Sequence, residues 1–186
     1  MLQRDRTDRG TRSTPGAEPD HRAAARAMAA ECLCFRARRV ARALTRLYDE
    51  ALRPLGLEAN QLTLLNAIAL VEEAGAPSSR LAEVLSVDST TLSRNLRPLE
   101  RQGLIRITRL ARDRRVRRVR LTAEGRRRIA EALPLWARAQ ERVTAALSSD
   151  VAGEVSAGFD AAAAAAEAVE RWSARVEPHA ARTGTP

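Results

Sequence analysis

The sequence predicts a mainly α fold that carries one small β-hairpin. Two observations predict it. Apolar residues recur at helical spacing through most of the chain and switch to strict alternation only between residues 105 and 121. Positive charge is divided in the same way. Residues 89–128 hold fourteen arginines against Glu100, Asp113 and Glu124, a local charge of +11, whereas the whole chain carries +9.

A length of 186 residues suggests one domain with extensions. Apolar content of 45% supports a core, and 3% aromatics means that the core is built from Leu, Val, Ile and Ala. All 32 basic residues are arginine, which a GC-rich coding bias explains as well as function does. The N-terminus lacks the apolar stretch of a secretory signal. No run approaches the roughly 18 apolar residues of a spanning helix. A soluble, cytoplasmic protein without a membrane partner is expected.

Residues 1–20 read as a disordered tail, with mixed charge and two prolines. A domain over 21–177 follows, and 178–186 form a second tail. Residues 22–52 predict one long helix. Leu33, Ala37, Val40, Ala41, Leu44, Leu47, Tyr48 and Ala51 trace one face, with Arg36, Arg39, Arg42 and Arg46 opposite. Pro54 and Gly56 end it. Residues 59–73 predict a second helix with Leu62, Leu65 and Ala69 inward, closed by Gly75-Ala76-Pro77.

Ser78 and Ser79, after Pro77, are natural N-caps for a short helix whose Leu81, Val84 and Leu85 share a face. Ser86-Val87-Asp88 is a tight turn, and Asp88 can cap the next helix. There Leu92, Leu96 and Leu99 face inward, while Thr90, Arg94, Arg97 and Arg101 form an outward stripe. Pro98 interrupts this helix, and a kink or a tightened last turn is expected. Gly103 stops it. Ile105 and Ile107 alternate with Arg106 and Thr108, and Val119 and Leu121 alternate with Arg118 and Arg120. These are two half-buried strands. Thr122 caps a helix over 123–148 with Ile129, Leu133 and Trp136 on one face and a bend expected at Pro134. A last helix covers 150–175. Its alanine run, 161–166, suits close helix–helix approach.

Two short helices, a three-residue turn and a Thr/Arg face on the second helix follow helix-turn-helix logic. The run Asp113-Arg114-Arg115-Val116-Arg117-Arg118-Val119-Arg120-Leu121-Thr122-Ala123-Glu124-Gly125 resembles the wing signature of the MarR family of bacterial regulators. Upstream, Leu81-Ala82 through Leu99-Glu100-Arg101-Gln102-Gly103-Leu104-Ile105 is similar to that family's reading head. The resemblance covers roughly residues 30–147, with reading head and wing over 57–122. It implies a winged helix-turn-helix domain with long N- and C-terminal dimerisation helices. It also implies a homodimer on a pseudo-palindromic operator, and the expected function is a repressor released by a small molecule or by oxidation. Arg115 matches the wing arginine that enters a minor groove, with Asp113 orienting it. A small pocket for an anionic aromatic effector is implied too, with Phe35, Arg38, Arg39, Leu62 and Trp136 as candidates.

The DNA-binding candidates are Ser89, Thr90, Thr91, Arg94 and Arg97 on the helix and Arg112, Asp113, Arg114 and Arg115 on the wing. Arginine grips guanine bidentately and threonine meets thymine. Ser89 and Thr90 can instead hold a phosphate at the helix N-terminus. Arg112, Arg114 and Arg117 suit phosphate neutralisation. An ordinary solvated helix face is the plain alternative.

Cys32-Leu33-Cys34 offers a candidate redox pair, with Arg36 and Arg38 able to favour thiolate. Two apart on a helix, the thiols point away from each other, so an intrachain bond needs unwinding, and a bond across the dimer is the other route. Small buried apolar cysteines are the plain alternative. His21 and His179, in the expected frayed ends, are too few for a metal site. No cofactor is implied. The chain has no phosphate-binding glycine loop, nucleophile elbow or histidine placed for base catalysis, so no enzyme is expected. The alternative function is a nonspecific architectural nucleic-acid binder.

Overall fold

Asp20 starts the first helix. Its carboxylate accepts from the N–H groups of Arg22 and Ala23 at 3.0 and 3.2 Å. The structure, a computed structural model, describes residues 20–71, 75–109 and 117–180. It divides into two units, Met1–Leu44 and Thr45–Pro186.

In the first unit, α1 covers His21–Glu31 and α2 starts at Leu33 and runs to Leu52. The single long helix expected over 22–52 is therefore two. Cys32 between them has ψ 111°, outside helical values. It closes α1 by donating its N–H to the Met28 carbonyl at 2.9 Å and opens α2 by accepting from Phe35 N–H at its Sγ, at 3.4 Å. A thiol in the capping role leaves no proline or glycine signature. Met28, Leu33, Phe35 and Val40 are exposed, Leu33 at 75%.

In the second unit, a 3-10 turn at Arg53–Leu55 ends on Gly56 in the left-handed conformation. Helix α3 spans Ala59–Val71. Leu62 and Leu65 point inward as expected, but Ala69 is exposed, and Leu64, Ala67 and Ile68 are buried instead. The reason is position: α3 packs against α4 (Ser78–Val84), α5 (Ser89–Arg101), α6 (Ala123–Leu147) and the sheet, so it is covered on more than one side.

The sheet has three strands in the order β1-β3-β2, one more than the hairpin expected. β2 is Ile105–Arg109 and β3 is Arg117–Leu121, antiparallel, with Ile107 opposite Val119. β1 is only Ala76–Pro77, paired to Val119 and Arg118. Its proline sits where a strand tolerates one, on an edge. Pro77 is also the N-cap position of α4, so Ser78 and Ser79 lie inside that helix rather than before it. Val84, placed on one apolar face with Leu81 by the sequence, is 46% exposed, whereas Leu81 is fully buried.

Two helices here end in the same way. At the end of α4, Ser86 N–H reaches the Glu83 carbonyl and Val87 N–H the Ala82 carbonyl, both at 3.0 Å. At the end of α5, Gly103 N–H reaches Glu100 at 3.0 Å and Leu104 N–H reaches Leu99 at 2.9 Å. Both are Schellman closures, which need a left-handed residue after the cap. Gly103 supplies it at φ 71°, and Ser86, a non-glycine, supplies it at φ 49°. Helix α5 continues through Pro98 to Arg101, and the tightening occurs beyond the proline, in the closure itself.

Thr122 caps α6 by accepting from Gly125 N–H at 3.0 Å. The helix runs unbroken past Pro134 to Leu147. Its inward face is Gly125, Ala132 and Ala139, with Ile129 and Leu135 partly buried. Leu133 and Trp136, placed on one face with Ile129 by the sequence, are 59% and 40% exposed. The helix packs against α3 and β3, with Ala132 in the core and Ile129 and Leu135 packed against it. Helix α7 spans Ser149–Ala180, so the first three residues of the expected C-terminal tail are helical, His179 among them. Among the described residues no helix is long and apolar enough to cross a membrane.

Candidate nucleic-acid interface

Helix α5 presents two faces. Leu92, Leu96 and Leu99 are buried in the core. Ser89, Thr90, Arg94, Arg97 and Arg101 are exposed on the other side. The amphipathic split is a consequence of the i, i+4, i+7 spacing of the leucines. Burial of the leucines therefore fixes which way the arginines look.

The N-terminus of α5 is held by Asp88. Its Oδ1 accepts from Thr90 N–H at 2.8 Å and Thr91 N–H at 2.9 Å, and its Oδ2 accepts from the Thr91 hydroxyl at 2.6 Å. These bonds, the Thr91 hydroxyl first among them, hold the Asp88 carboxyl below the usual carboxylate range. Thr91 is half-buried and its hydroxyl donates to the cap. The helix N-terminus thus holds the Asp88 carboxylate on the amides of Thr90 and Thr91. The Ser89 and Thr90 hydroxyls remain at the surface.

Arg112, Asp113, Arg114 and Arg115 lie outside the described residues. The strands that carry them do not. Arg117 is exposed and its Nη1 lies 3.5 Å from Ser93 Oγ on α5. Arg118, on the face of β3 opposite Val119, is half-buried and donates to the Gly75 carbonyl at 2.9 Å. Glu100 of α5 accepts from Ile107 N–H on β2 at 3.3 Å. Sequence periodicity missed Ser93 and Glu100, because neither contact is set by spacing along one element.

A cavity of about 190 Å³ lies between the end of α2, α3 and α6. Leu62 and Trp136, two of the five effector candidates, line it, together with Tyr48, Thr63 and Asn66. Phe35, Arg38 and Arg39 belong to the first unit, where they are exposed. The lining has a phenol, an amide and a hydroxyl but no charged side chain. The Tyr48 hydroxyl donates to Gln140 Oε1, and burial raises the Tyr48 pKa. Tyr48 and Asn66 carried no sequence signal for this role.

Cys32 and Cys34 are free thiols, half-buried and exposed respectively. Because Cys32 is extended rather than helical, the opposed-thiol geometry expected for a continuous helix does not apply.

An exposed basic helix, capped by an aspartate and followed by a two-stranded arginine-rich hairpin, defines a winged helix-turn-helix domain. A winged helix DNA-binding domain model matches residues 57–125. No curated protein matches the chain. Among solved structures, the Mycobacterium tuberculosis transcriptional regulator MosR in complex with DNA is 40% identical, covering 73% of this chain and 98% of its own, at TM-score 0.62. Mutant MarR of Escherichia coli with operator DNA is 25% identical, covering 73% and 96%, at TM-score 0.64. The repressor CouR of Rhodococcus jostii on a DNA duplex is 25% identical, covering 73% and 95%, at TM-score 0.64. The chain belongs to the MarR family of DNA-binding transcriptional regulators.

Proposed function

We infer that this protein is a sequence-specific repressor. It binds a pseudo-palindromic operator as a homodimer and is released by a small molecule or by oxidation. The observation that carries this reading is the exposed Thr90, Arg94 and Arg97 face on a helix anchored by three buried leucines, in a chain akin to a regulator solved on DNA. Arginine to guanine and threonine to thymine are the contacts such a face makes in a major groove. Arg115, oriented by Asp113, reads the adjacent minor groove, and Arg112 and Arg114 neutralise phosphates.

Dimerisation is supported by unsatisfied apolar surface. Helix α7 packs against α6, yet Val151, Val155, Phe159 and Val169 remain exposed, as do Leu133 and Trp136 on α6. A second copy covers such faces by a two-fold interface. Release by ligand is supported by the cavity beside Trp136, whose uncharged polar lining suits an aromatic molecule with hydrogen-bonding groups. Release by oxidation is supported by two free thiols two residues apart, Cys34 exposed and Cys32 half-buried and capping α2.

The test is a binding titration of Arg94→Ala and Arg97→Ala on the duplex recovered by sequencing bound DNA, and on a scrambled duplex, at several salt concentrations. Each variant should lose about 1–3 kcal/mol on the operator and little on the scrambled sequence. Equal losses on both would replace this reading with a nonspecific architectural binder.

A further inference from the structure

Helix α5 is tied to both strands of the hairpin that follows it. β2 is an edge strand, so the Ile107 N–H that points away from β3 has no strand to pair with. Glu100 Oε1 takes it at 3.3 Å, reaching across the Schellman turn. The second tie is Arg117 on β3 to Ser93, 3.5 Å. Ser93 and Glu100 are two turns apart on the helix, about 10 Å along its axis. Two points that far apart fix the direction of a helix against a sheet, where one would leave it free to swing.

The charge of Glu100 argues against a direct DNA role. It is one of three acids among fourteen arginines over 89–128, and a carboxylate on that face repels phosphate. We propose that Glu100 is a positioning residue. Its bond to the Ile107 amide, with Ser93–Arg117 as the second point, sets the phase between the bases read by α5 and the groove entered by the wing. The inference rests on the DNA-reading function proposed above. It adds that operator spacing, not just operator letters, is read through this latch.

The experiment compares the recovered operator with versions that carry one base pair inserted between the segment under α5 and the segment under the wing. Wild type should bind the shifted duplex on the order of ten-fold more weakly, the loss of one well-placed contact. Glu100→Ala should bring shifted and unshifted duplexes close to equal affinity. Glu100→Gln keeps an oxygen acceptor and should restore the wild-type ratio. Amide exchange at Ile107 should quicken in the alanine variant and stay slow in the glutamine variant. Ser93→Ala, which touches the other tie, should narrow the ratio in the same direction. An alanine variant at Glu100 with the wild-type ratio and wild-type exchange would overturn the proposal. If wild type fails to tell operator from scrambled duplex while Ile107 exchange still responds to Glu100→Ala, the DNA-reading function is what has failed, and the phasing role falls with it.

Discussion

A methyl group built at Gly125 would lie 2.1 Å from the carbonyl oxygen of Leu104. The first turn of α6 therefore rests directly on the segment that leaves α5. The same carbonyl accepts from Thr122 N–H at 3.0 Å and lies 3.1 Å from the Thr122 hydroxyl. The glycine of the Leu-Thr-x-x-Gly run is thus a packing requirement, since backbone on the facing side cannot move aside as a flexible side chain can. Gly125→Ala should destabilise by roughly 1–3 kcal/mol through overpacking. Chemical denaturation checks this, and an unchanged midpoint would show that the contact relaxes freely.

Ser86 bears the left-handed turn of the helix-turn-helix without being glycine. An L-residue pays for that conformation, while glycine gives back part of the gain as unfolded-state entropy. Ser86→Gly should raise stability by up to about 1 kcal/mol. A lower melting temperature in the variant would show that the serine makes a compensating interaction.

The Asp88 cap gives stability a pH dependence. The folded-state pKa is depressed, so the cap's contribution is complete above the ordinary carboxylate value near 3.9 and is lost as pH falls through the lower folded value. Wild type should therefore lose more stability between about pH 5 and pH 2 than Asp88→Asn does. Parallel stability curves for the two proteins would remove Asp88 from the account.

Thr90 and Thr91 are neighbours with different duties. Thr91→Val removes the hydroxyl bonded to Asp88 and should lower stability while leaving base preference alone. Thr90→Val removes an exposed hydroxyl and should change base preference with little change in melting temperature. Selection of bound sequences by the two variants, set beside their melting curves, separates the roles. The reverse pattern would exchange them.

Removing the chain after Ser148 deletes α7 and uncovers the face of α6 beneath it. If these helices pair across a two-fold axis, full-length protein should sediment as a dimer at micromolar concentration and the truncated chain as monomer or aggregate. A full-length monomer that binds operator with normal affinity would sink the dimer reading.

Local chemistry was legible in the sequence. Asp88, Gly103 and Thr122 act within a few residues of themselves, so caps and stops can be read from spacing alone. The inward leucines of α5 and the alternation of β2 and β3 are periodic, and periodicity survives without knowing the partner. The tertiary structure decided what depends on who packs where. The two-residue strand β1 is too short to have a period and exists because β3 offers an edge. Ala132 and Ala139 are buried while Leu133 and Trp136 are exposed, a choice set by which side of α6 its neighbours cover. The break at Cys32 comes from a thiol in a capping position, which no propensity scale marks. The Glu100–Ile107 bond and the cavity beside Trp136 join elements distant in sequence, and long-range pairing leaves no spacing to read.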